Sequence, residues 1–324
     1  MTQEEDGCCS TQPQDNDLRT NSAEESPYRL HRRFDRLGRL YGDQAVNRLM
    51  QTKVVVFGLG GVGSFAAEAL VRSAIGHITL VDFDDVCVTN ANRQLQALKG
   101  NIGKPKAWVL RDRLKLINPQ AEVVAKRAFY NAQRSEALLT PPWEDAERYD
   151  FVVDCIDNMT AKAHLLKTCL ERNAPVISSM GAAGKLDPTR IKITDLAHTQ
   201  VDPMAREMRH ILRKKHGLPS QGPMNVTAVY SDEPRAWPKE LNYDEGEGFR
   251  CVCPTKYQEP NCDSRNLIDG TASFVTGAFG LACASYVINT LTADLREQAK
   301  PDRDEQGYQP KSERPRPSRP AANV

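Results

Sequence analysis

Short runs of β-branched and other apolar residues alternate with stretches of helical spacing through the middle of the chain. The runs are Lys53–Phe57, His77–Val81, Glu122–Ala125, Phe151–Asp154 and Pro175–Ser178. Such alternation predicts strands joined by crossover helices, hence an α/β fold: a Rossmann-like, mostly parallel sheet with helices on both faces. Beyond about Gly184 the alternation weakens. Arg190–Asp195 and Val226–Ser231 predict two more strands, with a basic helix between them and a loop of Pro, Glu and Cys after them. The sheet is thus expected to be extended by antiparallel strands, with the uncharged stretch Gly270–Ala293 packed on it as a C-terminal helix.

The ends of the chain lack this periodicity. Residues 1–27 are polar and 297–324 rich in Pro and charge, so both are expected to be disordered tails. Between them, 28–296 is expected to form one unit, with a nucleotide-binding core at 50–184 and a substrate-facing part at 185–296. The stretch 270–293 is long enough to span a bilayer. Its Thr271, Ser273, Thr276, Ser285, Asn289 and Thr290 fit a buried helix better, and membrane association through it stays open at this stage.

Lys plus Arg number 43 against 42 for Asp plus Glu, a net charge of +1. That balance gives no global attraction to DNA, RNA or an anionic membrane, so any such contact needs a local patch. Nine cysteines, with Cys155, Cys169 and Cys283 inside apolar runs, point to a reducing, cytoplasmic address. Cys251, Cys253 and Cys262 give only Cys-x-Cys plus one more, which is not zinc spacing, so no structural zinc is expected.

The candidate chemistry begins at VVVFGLGGVGSFAAEAL. Gly58, Gly60, Gly61 and Gly63 fall between a strand and a helix, where backbone amides can meet phosphate at the helix N-terminus. Asp82, nineteen residues past Gly63, is placed to accept hydrogen bonds from ribose hydroxyls. So far an NAD-binding Rossmann fingerprint fits equally well. Then come Asp84, Asn90, Asn92-Arg93-Gln94, Gly103-Lys104-Pro105-Lys106 and Asp154-Cys155-Ile156-Asp157-Asn158.

Hydride transfer has no need of two cations and an extra carboxylate beside the phosphates. Cleavage between the α and β phosphates does: Arg93 and Lys106 suit a phosphate clamp, and Asp157 suits a metal ligand. Any one of them alone is an ordinary solvated charge; in this order beside a glycine loop they form a site. A second patch lies in Arg206–His216, where Arg206, Arg209, Arg213, Lys214 and Lys215 share a predicted helix. An RNA-binding surface and a solvated helix face both fit it.

Through RRFDR, GLGGVGS, LVDFDDVCVTNANRQ, GKPK and DCIDN the chain resembles the ubiquitin-activating-type superfamily, which includes the sulfur-carrier adenylyltransferases of thiamine and molybdopterin synthesis. The resemblance implies an adenylation domain that uses ATP and Mg2+. It further implies Asp82 as ribose ligand, Arg93 and Lys106 as phosphate ligands, Asp157 as organiser of Mg-ATP, and Asn90 as a further nucleotide-site residue. Arg36 resembles the finger that enters a partner subunit's ATP site, which implies a homodimer; Arg33 and Arg39 are its near alternatives. Within the superfamily, FDRLGRLYGDQAV, GKLDPTRIKITDLAHTQVDPMA and VYSDEP are nearest to the tRNA threonylcarbamoyladenosine dehydratases.

That branch implies a tRNA carrying threonylcarbamoyladenosine as substrate, an acyl-adenylate intermediate and closure to a cyclic form. Because the trapping group is already on the same nucleoside, no thioester relay is needed. Cys253 and Cys262 are therefore not assigned to catalysis, and Cys87 and Cys155 are expected to be packing residues beside the nucleotide. A monovalent cation and a sulfur-relay or cysteine desulfurase partner stay open. The alternative within the superfamily is a sulfur-carrier adenylyltransferase; outside it, an NAD(P)-dependent oxidoreductase or a catalytically dead adaptor.

Overall fold

The computed structural model describes residues 32–241 and 269–295. The two predicted tails and Cys251, Cys253 and Cys262 lie outside these residues. Helices α1 (Asp35–Tyr41) and α2 (Asp43–Gln51) lead into β1 (Lys53–Phe57), followed by α3 (Gly63–Arg72), β2 (His77–Asp82), α4 (Lys106–Ile117) and β3 (Glu122–Arg127). The chain continues through α5 (Ser135–Leu139), β4 (Phe151–Asp154), α6 (Met159–Glu171) and β5 (Val176–Ser179). Last come β6 (Ile191–Asp195), α7 (Pro203–Lys215), β7 (Thr227–Ser231) and α8 (Ser273–Leu291).

The seven strands form one sheet in the order β3-β2-β1-β4-β5-β7-β6. Neighbours pair in parallel except β6 with β7. Of the two late strands, only β6 runs against the rest, while β7 continues the parallel set beside β5. From β1 the chain builds outward through β2 and β3 on one side, then returns to place β4 on the other. The crevice above the carboxyl ends of β1 and β4 is therefore the switch point where such sheets bind ligands.

Alternation along β1 divides the core. Val54 and Val56 belong to the cluster on one face, with Leu70 of α3, Leu110 of α4 and Phe279 and Val287 of α8. Val55 and Phe57 face the other way, against Leu165 and Leu166 of α6 and Met208 and Leu212 of α7. Each such fully buried side chain stabilises by about 1.5–3 kcal/mol before entropy is counted.

The uncharged helix is a core element on its inner side. Its Val275, Phe279, Cys283 and Val287 are fully buried, whereas Phe274 and Leu281 are exposed. Gly280 lets it press on the start of α3: a Cβ there would lie 2.4 Å from the Val62 carbonyl oxygen. Thr276 is buried with its hydroxyl bonded to the Ala272 carbonyl 3.3 Å away, Asn289 accepts from the Tyr41 hydroxyl, and Ser273, Ser285 and Thr290 are exposed on the outer side.

Candidate active site

The glycine loop joins β1 to α3 across the switch point. Gly58 takes φ +82°, and a Cβ there would meet the Cys155 carbonyl oxygen at 2.6 Å. At Gly63 a Cβ would fall 1.8 Å from the Gly58 carbonyl oxygen, so the first turn of α3 closes onto the strand only without a side chain. No side chain caps α3, and of its opening amides that of Ser64 is already bonded to the Gly60 carbonyl at 3.1 Å. Gln96 fastens the loop by donating to the Leu59 carbonyl at 2.6 Å.

Asp82 ends β2 beneath that loop. Its Oδ2 accepts from the Leu59 amide at 2.6 Å and its Oδ1 from the Asp84 amide at 2.8 Å. Burial, with Asp84 nearby, raises its pKa, while the Lys106 charge and the two amides pull it down. Lys106 reaches this place because the chain doubles back. The Val86 amide donates to the Lys104 carbonyl at 2.9 Å, and the Lys106 amide to the Asp84 carbonyl at 3.0 Å. Lys106 Nζ then pairs with Asp84 Oδ2 at 2.7 Å. Burial by itself lowers the Lys106 pKa, but Asp82, Asp84 and Asp157 together raise it above the ordinary lysine value.

Asp157 is exposed and stands three residues past the end of β4. Below it lies a pair that the motif reading did not single out. Asp154 and Lys162 are both completely buried and joined at 2.7 Å. Asp154 also accepts from Ser178 Oγ at 2.7 Å and from the Ile156 amide at 3.0 Å. This knot fixes the turn from which Asp157 projects, and Asn158 caps α6 by accepting from the Ala161 amide at 3.0 Å. A lysine set between Ala161 and Ala163 on an apolar helix, eight residues past an aspartate at a strand end, was the available signal.

The remaining candidates divide. Arg93 sits by the loop, within 3.2 Å of where a Gly61 Cβ would be, and donates to the Thr89 carbonyl and Asn92 Oδ1 at 3.0 Å each. Asn90 is buried and spends its side-chain oxygen on the Cys87 amide at 3.0 Å, so it shapes the Val88–Asn90 turn. Cys87 is buried and Cys155 half-buried, both as free thiols, and contact with Cys283 together with burial holds the Cys155 thiol well above its ordinary pKa.

Arg33 donates to the Ile117 carbonyl at 2.8 Å and Arg39 pairs with Asp35 at 3.0 Å. Arg36 is exposed and makes no bond among the described residues. Its neighbour Arg33 is fastened at the carboxyl end of α4, the end opposite Lys106.

On α7, Arg206, Lys214 and Lys215 are exposed and Arg213 is half-buried. Arg209 is not available to a ligand in the same way, since it bonds the Thr199 carbonyl at 3.1 Å and the Thr199 hydroxyl. The helix starts beside the Asp202 cap near the carboxyl edge of the sheet, so Arg213, Lys214 and Lys215 lie a helix length away from the glycine loop.

A glycine turn at the switch point, with a buried lysine and three carboxylates closing on it, makes this a nucleotide-binding α/β protein of the adenylating type. The chain belongs to the ThiF family, whose model matches residues 34–317. It is 40% identical over 262 residues to the tRNA threonylcarbamoyladenosine dehydratase of Haemophilus influenzae, covering 80% of this chain and 93% of that one. Identity to the Escherichia coli enzyme of the same name is 36% over 268 residues, or 82% and 96% of the two chains. The crystal structure of that E. coli enzyme in complex with ATP superimposes with a TM-score of 0.69 at 34% identity, covering 82% of this chain and 95% of that one.

Proposed function

We propose that this chain is an ATP-dependent tRNA threonylcarbamoyladenosine dehydratase acting through an acyl-adenylate. The observation that carries the reading is the convergence of Lys106 with Asp82, Asp84 and Asp157 at the glycine loop, in a chain matching named dehydratases along nearly their whole length. The likeness to an ATP complex supports ATP as the nucleotide. Asp82 receives the ribose hydroxyls; the amides opening α3, with Lys106 and Arg93, take the phosphates.

Asp157 would hold magnesium. A hard, oxygen-preferring cation fits an exposed carboxylate beside a triphosphate, where one protein ligand and phosphate oxygens commonly suffice. When bound, it supplies positive charge to the phosphates. The threonyl carboxylate of the modified adenosine attacks the α-phosphate and pyrophosphate leaves, the developing charge being met by Lys106 and Arg93. The neighbouring carbamoyl group then attacks the activated carbonyl, AMP departs, and a five-membered ring closes. The nucleoside has lost one water.

Two further parts belong to the reading. Arg36, exposed and without a bond among the described residues, serves the site of a second subunit in a homodimer. Arg206, Lys214 and Lys215 line the path of the tRNA backbone down α7. The enzyme works in the cytoplasm, a setting that the free thiols of Cys87, Cys155, Cys169 and Cys283 suit.

The test supplies purified protein with threonylcarbamoylated tRNA, ATP and magnesium. One AMP per cyclic nucleoside, with a nucleoside mass lower by one water, is expected. Pyrophosphate exchange stimulated by a small ubiquitin-like carrier and indifferent to modified tRNA would overturn the reading in favour of a sulfur-carrier adenylyltransferase.

A further inference from the structure

Beside the nucleotide crevice, the carboxyl edge of the sheet holds a second set of buried charges that the adenylation chemistry does not use. Asp154 and Ser178 are in register on β4 and β5. Asp157 and Gly181 each stand three residues further on, in the loops that leave these two neighbouring strands. The loop after β5, Gly181-Ala182-Ala183-Gly184, has no side chain larger than a methyl and ends at Lys185.

Lys185 and Asp202 are both 2% exposed. Lys185 Nζ gives a hydrogen bond to the Glu233 carbonyl, leaving two of its three donors for something else. Asp202 Oδ1 caps α7 by accepting from the Ala205 amide at 2.8 Å; the Met204 and Gly181 amides also lie toward the carboxylate, and Oδ2 makes no hydrogen bond of good geometry. The two charges feel each other without meeting. Burial raises the Asp202 carboxyl, offset only in part by the Ala205 amide, the Lys185 charge and the Met204 and Gly181 amides, and burial lowers the Lys185 ammonium, offset in part by Asp202 and Glu233. An acidic oxygen hidden this completely and left without a well-formed bond costs free energy unless something else fills the gap.

Gly181 controls the approach. A Cβ there would lie 3.3 Å from Asp202 Oδ2 and 3.4 Å from Oδ1, so the missing side chain is what opens the line to the carboxylate. Two adjacent residues strap this loop to the nucleotide site: the Gly184 amide donates to the Gly270 carbonyl at 2.9 Å, and Asn92 Nδ2 to the Thr271 carbonyl at 2.9 Å. Arg93 is the next residue. A group bound between Lys185 and Asp202 must accept on one side and donate on the other, next to the loop strapped to the nucleotide site. A carbamoyl group has that pattern, a C=O beside N–H.

We propose that Gly181, Lys185 and Asp202 form the subsite holding the carbamoyl group of the acyl substrate, Lys185 donating to its oxygen and Asp202 accepting from its N–H. The subsite rests on the dehydratase reading above. It keeps the ring-closing group against the carbonyl that becomes activated, so cyclisation outruns hydrolysis of the adenylate. It also makes the enzyme prefer modified over unmodified tRNA.

The test compares Gly181→Ala, Lys185→Met and Asp202→Asn with the wild type. Asp202→Asn keeps the Oδ1 that caps α7, and Lys185→Met keeps the buried volume. Gly181→Ala alters no charge and asks for no left-handed backbone, so it remains informative should either of the others fail to fold. Each variant is expected to bind ATP as the wild type does. Cyclic nucleoside formation in a single turnover should fall roughly tenfold to a hundredfold, as for loss of a hydrogen bond to a charged group, and the preference for modified tRNA should shrink with it. Hydroxylamine should still trap the adenylate as a hydroxamate. Wild-type rates and preference in all three would overturn the subsite and return Asp202 to a helix cap holding at most a water. Absence of AMP formation by the wild type with modified tRNA would instead remove the dehydratase reading, and the subsite with it.

Discussion

Asp82 and Asp202 are two buried carboxylates on the carboxyl edge of one sheet, and the chain equips them differently. Asp82 has a backbone amide on each oxygen and Lys106 close by. Asp202 has one well-formed amide bond, from Ala205 to Oδ1, and no bond of good geometry on Oδ2, with the Met204 and Gly181 amides only nearby. The first is held rigid in advance, as a residue must be that receives the same ribose in every turnover. The second keeps hydrogen-bonding capacity in reserve. The contrast separates a ribose carboxylate held in advance on the nucleotide side from an acceptor carboxylate that keeps an oxygen for substrate.

The severest challenge to this contrast is at the knot beneath Asp157. Lys162→Met leaves Asp154 charged and buried, and should cost about 3–5 kcal/mol of stability in urea unfolding. A loss below about 1 kcal/mol would mean that Ser178 and the Ile156 amide suffice, and that the nucleotide side is less tightly wired than its geometry implies. Next is Asp157→Ala. The side chain is exposed, so the fold should survive, while pyrophosphate exchange drops by at least about a hundredfold, several kcal/mol of lost phosphate stabilisation. Full exchange in that variant would show the carboxylate to be misassigned.

Asp82→Asn sharpens the comparison directly. ATP binding should weaken about tenfold by calorimetry, the scale of one hydrogen bond to a charged group, with tRNA affinity unchanged. Equal effects on both ligands would erase the distinction between the two sides. A subunit-mixing experiment asks whether the nucleotide side is complete in one chain. Arg36→Ala and Asp157→Ala proteins, each inactive, should regain activity at about a quarter of the sites when mixed one to one, since a two-fold dimer carrying one of each retains one intact site. No recovery would confine Arg36 to its own chain. The smallest effect belongs to the acceptor side: Lys214→Ala and Lys215→Ala should each reduce the slope of log affinity for tRNA against log salt by about 1. An unaltered slope would return that end of α7 to a solvated face.

Local signals made much of this legible in advance. β1 and β4 occupy the residues their apolar runs mark, because such runs can be buried only as central strands. The glycine loop was equally plain, since Gly58 and Gly63 answer to backbone geometry that no other residue meets. The less legible features depend on chain reversal. The pairing of segments 84–86 and 103–106 that delivers Lys106 to Asp84 involves an isolated bridge, Asp85 with Pro105, too short to leave a pattern. The Asp154 and Lys162 knot joins a strand end to the helix that follows it, and nothing in the motif marked Lys162 as its partner. Arg209 was grouped with its basic neighbours because helical spacing says nothing of the Thr199 backbone folded over it. Lys185 and Asp202, seventeen residues apart, carry no motif that joins them.

The strap at Gly270 and Thr271 has a consequence for the order of events. One peptide unit links a carbonyl bonded to the acceptor loop with a carbonyl bonded to the nucleotide loop. Ordering either loop prepays part of the conformational cost of ordering the other, so occupancy of one half favours occupancy of the other. Such coupling is reciprocal by thermodynamic necessity. The factor by which nucleotide tightens the hold on modified RNA must equal the factor by which the RNA tightens the hold on nucleotide, and cutting the strap should bring both to unity together.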